Sequence, residues 1–359
     1  MDHAPVAGMM LRFVGVVFEC ESNDHYGCPK PGLEGTDIVN GIVKKLGKKV
    51  HQYQLNQISR QSRFDPRDSI LVSANPRGGS TWLFEVLTSI QDTATLYEPL
   101  HQRWVPELSE IGFDWHQRIP EDADWPEARQ LFEDILSGRK LTTDVCQYSS
   151  VQDYRNANRL VVKFIRINDC LPWLLKQFDF KLKPVVLTRH PIAIAASTLR
   201  HENWQGRPSH YVFPETRYSD YSDKDRAFLE SLATVEEVRV AKWCTRNRSF
   251  LTHERHNKDW ITLHYEDMLL NPEASLRHLF SAWQMDVPDA AMSLVDKASR
   301  TSRETTFSDD KQQQLEKWQT RFSADQIDRM IAILDHFEID LYGREAMPNM
   351  ASTMAASPD

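Results

Sequence analysis

Short apolar runs alternate with helix-like patterns along most of the chain from residue 70 onward. The runs at 69–74, 160–165 and 184–188 have the length and composition of strands buried on both faces, and a further strand is predicted at 260–264. Strands that alternate with helices form parallel sheets covered on both faces. The pattern therefore predicts an α/β fold with a central parallel sheet flanked by helices.

Apolar residues also recur at the spacing of one helix face. The stripes are Leu83, Val86, Leu87 and Ile90; Ala128, Leu131, Phe132 and Ile135; Ile192, Ala195, Ala196 and Leu199; Leu276, Leu279, Phe280 and Trp283; and Ile327, Met330, Ile331 and Leu334. Pro191 and Pro272 suit first helical turns, and residues 323–326 form a capping box before the last helix. A short helix is predicted around 173–175 and one long polar helix over about 224–256.

The two ends of the chain lack this regularity. Residues 1–65 are rich in Gly, Lys and His, with a candidate strand at 9–18 and a loop predicted at 20–40. We therefore predict an N-terminal extension of uncertain structure at 1–65, one domain at 66–345, and a disordered tail at 346–359.

The composition narrows the class of protein. The 359 residues are 41% apolar and 26% charged, as in ordinary globular proteins, and the net charge of −8 argues against a nucleic-acid binder. The five cysteines are scattered without a C-x-x-C pair, so neither a disulfide framework nor a metal site is expected. The apolar run at 9–18 contains Arg12 and is too short to span a bilayer, so we expect no transmembrane segment and a cytoplasmic location.

The strongest chemical signal is Asn-Pro-Arg-Gly-Gly-Ser-Thr-Trp at 75–82, directly after the first strand. A glycine pair before a helix start is the layout of a loop that cradles phosphate, since backbone N–H groups converge there. The Walker pattern would need Gly at Ser73 and Lys at Gly79. The cation instead lies ahead of the glycines, at Arg77. This predicts an anion other than the Mg-bound phosphates of ATP.

A second motif follows the predicted strand at 184–188. Arg189 lies where that strand ends, which is the sheet edge at which α/β folds bind ligands. Ser197 lies off the apolar stripe of the next helix. The two side chains are therefore predicted to enter one cleft and to share an anion.

Together these motifs resemble the sulfotransferase family that uses 3′-phosphoadenosine 5′-phosphosulfate (PAPS), whose signatures are P-[KR]-[SG]-G-[ST]-T-W and R-x7-S. Tyr-Glu-Asp-Met at 265–268 with Asn-Pro at 271–272 is similar to that family's Y-E-D-L and N-P segment, and Lys-Trp at 317–318 resembles its C-terminal W-[KR] region. The resemblance spans about residues 70–342. It implies the P-loop-containing, nucleotide-binding sulfotransferase fold and in-line transfer of a sulfuryl group without a metal.

The resemblance also implies roles for individual residues. Arg77 is expected to neutralise charge on the leaving phosphate, and Lys163 to touch the transferring group. The expected contacts of the nucleotide are Arg77, Gly78, Gly79, Ser80, Thr81 and Trp82 at the 5′ end, Arg189 and Ser197 at the 3′-phosphate, and Ser299, Thr301 and Ser302 in a segment that closes over it. For Trp82 a place partly in the core is favoured over stacking on the adenine ring, and Lys163 can equally be a strand-end side chain without a catalytic role.

The general base is less clearly marked. Cytosolic members carry K-T-H where this chain has Lys-Phe-Ile at 163–165, so their histidine is absent. Glu98 lies in an E-P segment like that of carbohydrate-type and bacterial members, and it is our first candidate for the base. Its other interpretation is an ion pair with Arg103. His101 is the competitor and His190 a third candidate.

Several alternatives stay open on sequence alone. The acceptor loops are predicted at 101–126 and 202–224. Their aromatic and basic residues suit a planar or polyhydroxylated small molecule or a carbohydrate. The group that accepts the sulfuryl group is a hydroxyl or an amine. A P-loop kinase, an inactive protein that binds the nucleotide as a sensor, and a tailoring enzyme that lies on a membrane are the other function classes. The oligomeric state is open, with a homodimer as one option.

Overall fold

The computed structural model describes residues 35–61, 64–165, 167–200, 206, 208–295, 297 and 310–350. The chain divides into two compact units, Met1–Gly47 and Lys48–Asp359. The described residues of the first unit belong to helix α1 (Gly35–Ser59).

The second unit contains a parallel sheet whose strands are β1 (Ile70–Ala74), β2 (Thr93–Tyr97), β3 (Arg159–Phe164), β4 (Val185–Thr188) and β5 (Ile261–His264). The helices around it are α2 (Ser80–Leu87), α3 (Glu107–Glu110), α4 (Pro126–Leu136), α5 (Val151–Asn156), α6 (Leu171–Gln177), α7 (Pro191–Leu199), α8 (Asp223–Glu230), α9 (Val235–Leu251), α10 (Tyr265–Leu270), α11 (Pro272–Ala282), α12 (Asp289–Val295), α13 (Lys311–Glu316) and α14 (Ala324–His336).

The sheet has the order β2-β3-β1-β4-β5, and all its pairings are parallel. The carboxyl ends of the strands therefore meet at one edge, with β1 between β3 and β4. Ligands of open α/β sheets bind at that edge, near the point where the strand order reverses. The predicted fold class is confirmed.

Both faces of the sheet are buried, and successive residues of a strand pack on opposite sides. Leu71 and Val162 belong to the apolar cluster that includes residues of α4 and α6, whereas Val72 and Val161 belong to the cluster that includes residues of α2 and α11. Burial on both sides explains why these strands are continuous apolar runs without alternation. A third cluster joins α7, α9 and α14 and fixes the helix that follows β4.

The structure confirms the strands predicted at 69–74, 160–165, 184–188 and 260–264, and the helices predicted from apolar stripes. Of the stripe residues, Leu199 and Ile331 are half-buried where burial was expected. Strand β2 was missed, because it is a short edge strand with polar residues among its apolar ones.

The prediction of one long helix over 224–256 is wrong. The chain forms two helices, α8 and α9, separated at 231–234. Thr234 is the N-cap of α9, and its side chain accepts a hydrogen bond from the Glu237 amide while the Glu237 carboxylate accepts one from the Thr234 amide. This capping box starts a new helix inside a segment whose composition is helical throughout.

The predicted boundaries at both ends also need correction. A helix, and not a loop, begins at Gly35, and Leu55 and Ile58 are buried in the core of the second unit, so that unit begins before residue 66. At the other end Ala346 is 5% exposed and the Asn349 amide donates to the Leu341 carbonyl, so residues 346–350 are not a disordered tail. The candidate strand at 9–18 lies outside the described residues.

Candidate active site

The loop between β1 and α2 has a shape that requires its glycines. Gly79 has φ +89°, and a Cβ placed there would lie 2.5 Å from Cδ2 of Tyr265. A Cβ at Gly78 would lie 2.9 Å from the Asn75 carbonyl oxygen, which accepts a hydrogen bond from the Gly78 amide. The amide of Gly78 thus closes the turn. The donors left for an anion are the amides of Ser80 and Thr81 at the helix start, whereas the Trp82 amide donates to the Gly79 carbonyl oxygen.

Arg77 adopts φ +66°, a left-handed conformation that is unusual for a residue with a side chain. Its Nε donates to Oγ of Ser197, 3.2 Å away, across 120 residues of sequence. Strained backbone of this kind is concentrated at functional sites, where the surrounding structure holds it. The loop therefore presents a cation that is fixed in place from the second motif.

Arg189 links the two motifs from the other side. Its Nη1 donates to the Arg77 carbonyl oxygen at 3.1 Å, and its Cζ lies 4.1 Å from the ring centroid of Tyr265. Its Nε is buried and makes no hydrogen bond to a described residue. A buried guanidinium N–H without an acceptor is costly, so this donor suits an anionic ligand. The structure brings Arg189 and Ser197 together through their contacts with Arg77. That Arg189 and Ser197 share one anion stays a prediction.

Glu98 and Lys163 form a buried ion pair near the same sheet edge. Lys163 Nζ lies 2.6 Å from Glu98 Oε1, and the two side chains are 2% and 14% exposed. The Nζ also lies 4.1 Å from the ring centroid of Tyr97, the partner of Lys163 in the strand register. Glu98 has φ +48°. The carboxylate thus pairs with Lys163, and the alternative of a pair with Arg103 is not what the structure shows.

Burial of the Tyr97 ring, reinforced by the neighbouring Glu98 charge, raises the pKa of this phenol above its usual value. The Tyr97 phenol therefore stays protonated at neutral pH, and its ring faces the ammonium group of Lys163. The side chains of Glu98, Lys163 and Tyr97 form a compact polar group at the ends of β2 and β3.

The two histidine candidates have different surroundings. His101 stacks on Trp104 with ring centroids 4.1 Å apart, and it lines a cavity of about 620 Å³ beside the loop. His190 is buried: its Nε2 lies 3.0 Å from the Gly343 carbonyl oxygen, and its Nδ1 accepts from the Ile192 amide. Burial lowers the pKa of His190 to about 4. His190 therefore caps α7, and of these two candidates His101 is the one that lines the cavity.

A buried chain of amide side chains supports the loop from below. Asn247 Nδ2 donates to Asn75 Oδ1 at 2.8 Å, and Asn168 Nδ2 donates to Asn247 Oδ1 at 2.7 Å. Ser73 Oγ donates to Asn168 Oδ1. Because each member satisfies the next, the chain fixes Asn75 at the start of the loop. Asn168 and Asn247 carry no local sequence signal by which this role could have been predicted.

Glu266 supports the second motif in a similar way. Its Oε1 accepts from the His190 amide at 2.9 Å, and its Oε2 accepts from the Tyr342 hydroxyl at 3.1 Å. Burial raises the pKa of Glu266 to about 7. This carboxyl fixes the residue that follows Arg189, although the sequence suggested no role for it.

The remaining predicted ligands are located as follows. Ser80 and Thr81 are buried in the first turn of α2. Trp82 is 4% exposed and its Nε1 donates to the Val295 carbonyl oxygen, which is the environment of a core residue. Ser299, Thr301 and Ser302 lie outside the described residues. In the part of the chain that the structure describes, no group of three or more potential metal ligands converges, and no helix is long and apolar enough to cross a membrane.

Residues 69–289 match the model of the sulfotransferase family. Because this match covers more than half of the 359 residues, the chain belongs to that family. A comparison with curated proteins gives no significant match.

Solved structures similar to the chain include three sulfotransferases. The sulfotransferase domain from the curacin biosynthetic pathway is 15% identical, with 77% of this chain and 99% of that one covered and a TM-score of 0.42. The corresponding domain of the Synechococcus PCC 7002 olefin synthase is 19% identical, with 77% and 96% covered and a TM-score of 0.43. A mouse sulfotransferase complexed with PAP is 13% identical, with 80% and 89% covered and a TM-score of 0.35.

Proposed function

We propose that this protein transfers a sulfuryl group from PAPS to a hydroxyl or amine of a small-molecule or carbohydrate acceptor. The observation that carries the proposal is the hydrogen-bonded group formed by Arg77, Arg189 and Ser197 next to the glycine-containing loop. Two cations and a helix start at one sheet edge suit a nucleotide with phosphate groups at two positions. Membership of the family supports the reaction class.

The residues fit such a donor at both ends. The first-turn amides of α2, with Ser80 and Thr81, would hold the 5′-phosphate. The buried Nε of Arg189 and the hydroxyl of Ser197 would hold the 3′-phosphate. PAPS, when bound, supplies a sulfuryl group already activated by its phosphate leaving group.

The protein's own contribution is charge and position. Arg77 would stabilise negative charge at the leaving phosphate, and its place is fixed by Ser197. Lys163 would present a second cation to the reacting group, held in position by Glu98 and Tyr97. Since sulfuryl transfer needs little covalent help from the protein, such preorganised charge can supply most of the rate enhancement.

Two residues compete for the role of general base. Glu98 has its carboxylate engaged by Lys163, whereas His101 lies on the wall of the cavity beside the loop. The pair Glu98→Gln and His101→Gln separates them, because loss of the base lowers kcat by about 10²–10⁴-fold. Loss of rate in Glu98→Gln with near-normal turnover in His101→Gln supports Glu98, and the reverse result assigns the base to His101.

The test of the function is transfer of labelled sulfate from PAPS across a mixed acceptor library, combined with calorimetric binding of PAP. Arg77→Ala should abolish transfer, and Arg277→Ala is the matched control, since Arg277 pairs only with solvent-exposed Glu273 on α11 among the contacts described. Full activity in Arg77→Ala contradicts the proposed role of the loop. Binding of ATP without PAP points to a kinase, and tight PAP binding without any transfer points to an inactive sensor. The cytoplasmic location stays a prediction from the sequence.

A further inference from the structure

The cavity of about 620 Å³ lies beside the first residues of the phosphate-binding loop. Asn75 and Pro76, which precede Arg77, form one wall, and Ile194 and Thr198 of α7 form another. Thr198 follows Ser197, and successive residues of a helix point about 100° apart, so one side chain reaches Arg77 while the next faces the cavity. The cavity therefore adjoins the reacting end of the proposed donor site, where an acceptor has to enter.

The charges on its walls are strongly one-sided. Four cationic side chains line it: Arg103, Arg239, Lys242 and Arg246. Among the described lining residues Asp114 is the one carboxylate. This excess of positive charge occurs in a chain with a net charge of −8, so it is not a reflection of the overall composition.

Helix α9 supplies three of these cations. Arg239, Lys242 and Arg246 lie at positions i, i+3 and i+7, which is one face of a helix, and all three line the cavity. The opposite side of α9 packs Val240, Cys244 and neighbouring apolar residues into the core with α7 and α14. The cationic face is thus held rigidly toward the cavity.

Arg246 contacts the ring of His116, which also lines the cavity. Burial lowers the pKa of its guanidinium, against the opposing charges of Asp169 and Asp114 and the phenols of Tyr211 and Tyr221. Burial also raises the pKa of Asp169 to about 7, so this neighbour is only partly ionised at neutral pH. A ligand anion near Arg246 would further offset the cost of burying its guanidinium.

An adjoining cavity of about 360 Å³ has a different character. It shares His116, Lys242 and Arg246 with the first, but Asp169, Asp220 and Asp225 also line it. These three carboxylates face four cations there, Arg118, Lys242, Arg246 and Arg248. The excess of cations is therefore larger in the cavity next to the loop, where one carboxylate faces four cations among the described residues.

We propose that the acceptor carries an anionic group, a carboxylate or a phosphate or sulfate ester, which binds the cationic face of α9. The proposal rests on the proposed function and narrows its acceptor class. The anion anchors the molecule at Arg239, Lys242 and Arg246, while a hydroxyl elsewhere on the same molecule approaches Arg77. Cationic acceptors are repelled, and neutral ones lack the anchor.

The test uses matched probe pairs that differ only in the anion: 4-hydroxyphenylacetate against 4-hydroxyphenylacetamide, and glucuronate, glucose 6-phosphate and glucose 6-sulfate against glucose. Binding of each probe to PAP-saturated protein is measured by calorimetry, and transfer is measured separately with labelled PAPS. We expect at least one anionic member to bind about tenfold or more tightly than its neutral partner, and the advantage to shrink as salt is raised.

The variant Arg239→Met/Lys242→Met should reduce that advantage to less than about threefold while PAP affinity stays within about twofold. Lys258→Met is the control, because Lys258 is an exposed lysine after α9 that lines neither cavity. Equal binding of every pair, or an anion preference that survives in the double variant, overturns the inference. A preference in binding without transfer to any probe supports the inference and counts against the proposed function.

Discussion

Gly79→Ala is the change whose effect follows most directly from the geometry of the loop. A left-handed backbone costs an L-residue roughly 1–2 kcal/mol relative to glycine. The new methyl group would also lie 2.5 Å and 2.9 Å from two ring carbons of Tyr265, and such overpacking costs about 1–3 kcal/mol. We therefore expect the free energy of unfolding to fall by about 2–5 kcal/mol.

Gly112→Ala is the matched control. Gly112 has φ +75°, close to the φ of Gly79, but nothing lies within 4 Å of its added Cβ. The same backbone cost applies, and the loss of entropy in the unfolded chain is the same for both variants. The difference between the two variants, about 1–3 kcal/mol, therefore measures the clash with Tyr265 alone.

Urea unfolding followed by tryptophan fluorescence gives both free energies, since the chain has ten tryptophans. PAP affinity supplies a second readout: Arg189 lies 4.1 Å from the Tyr265 ring, so displacement of the ring disturbs the proposed 3′-phosphate ligand. Gly79→Ala should weaken PAP binding and Gly112→Ala should not. Equal stability loss in the two variants, with unchanged PAP affinity in both, would refute the close approach of Tyr265 to the loop.

Three further predictions follow from the site and its supports. Lys163→Met leaves Glu98 buried without its partner and should lower the free energy of unfolding by about 3–5 kcal/mol. Adding Glu98→Gln to that variant should restore at least about 1 kcal/mol. Strictly additive losses in urea unfolding would contradict a buried ion pair between the two residues. Arg189→Lys loses the planar fork and should weaken PAP binding by about 10–100-fold in calorimetry, and unchanged affinity excludes Arg189 as a ligand. The pKa of His190 lies at about 4 in the folded chain against 6.5 ordinarily, so the unfolded chain binds more protons between these pH values. His190→Gln should therefore gain stability relative to the parent by about 1.4 kcal/mol for each pH unit below 6.5, down to pH 4. A constant stability difference across that range would contradict a buried neutral imidazole.

The sequence was sufficient wherever the information is local. Apolar runs, glycine pairs and proline at first turns identify β1, α2, β4 and α7, because each depends on residues adjacent along the chain. Since ligands of α/β folds bind where parallel strands end, the pattern also indicated that Arg189 lies at the ligand-binding edge of the sheet. The break between α8 and α9 escaped prediction because a capping box competed with a composition that is helical on both sides.

Only the tertiary structure decided which polar side chains meet. Glu98 and Lys163 are 65 residues apart, and nothing in either segment shows that each is the other's buried partner. The chain of hydrogen-bonded side chains that links Ser73, Asn168 and Asn247 likewise cannot be predicted from local sequence, because a buried asparagine and an exposed one look alike there. The cationic face of α9 becomes a cavity wall only once α7 packs against it. Burial is a property of the assembled fold, and it is burial that turns these ordinary polar residues into an ion pair, a support for the loop and a candidate acceptor site.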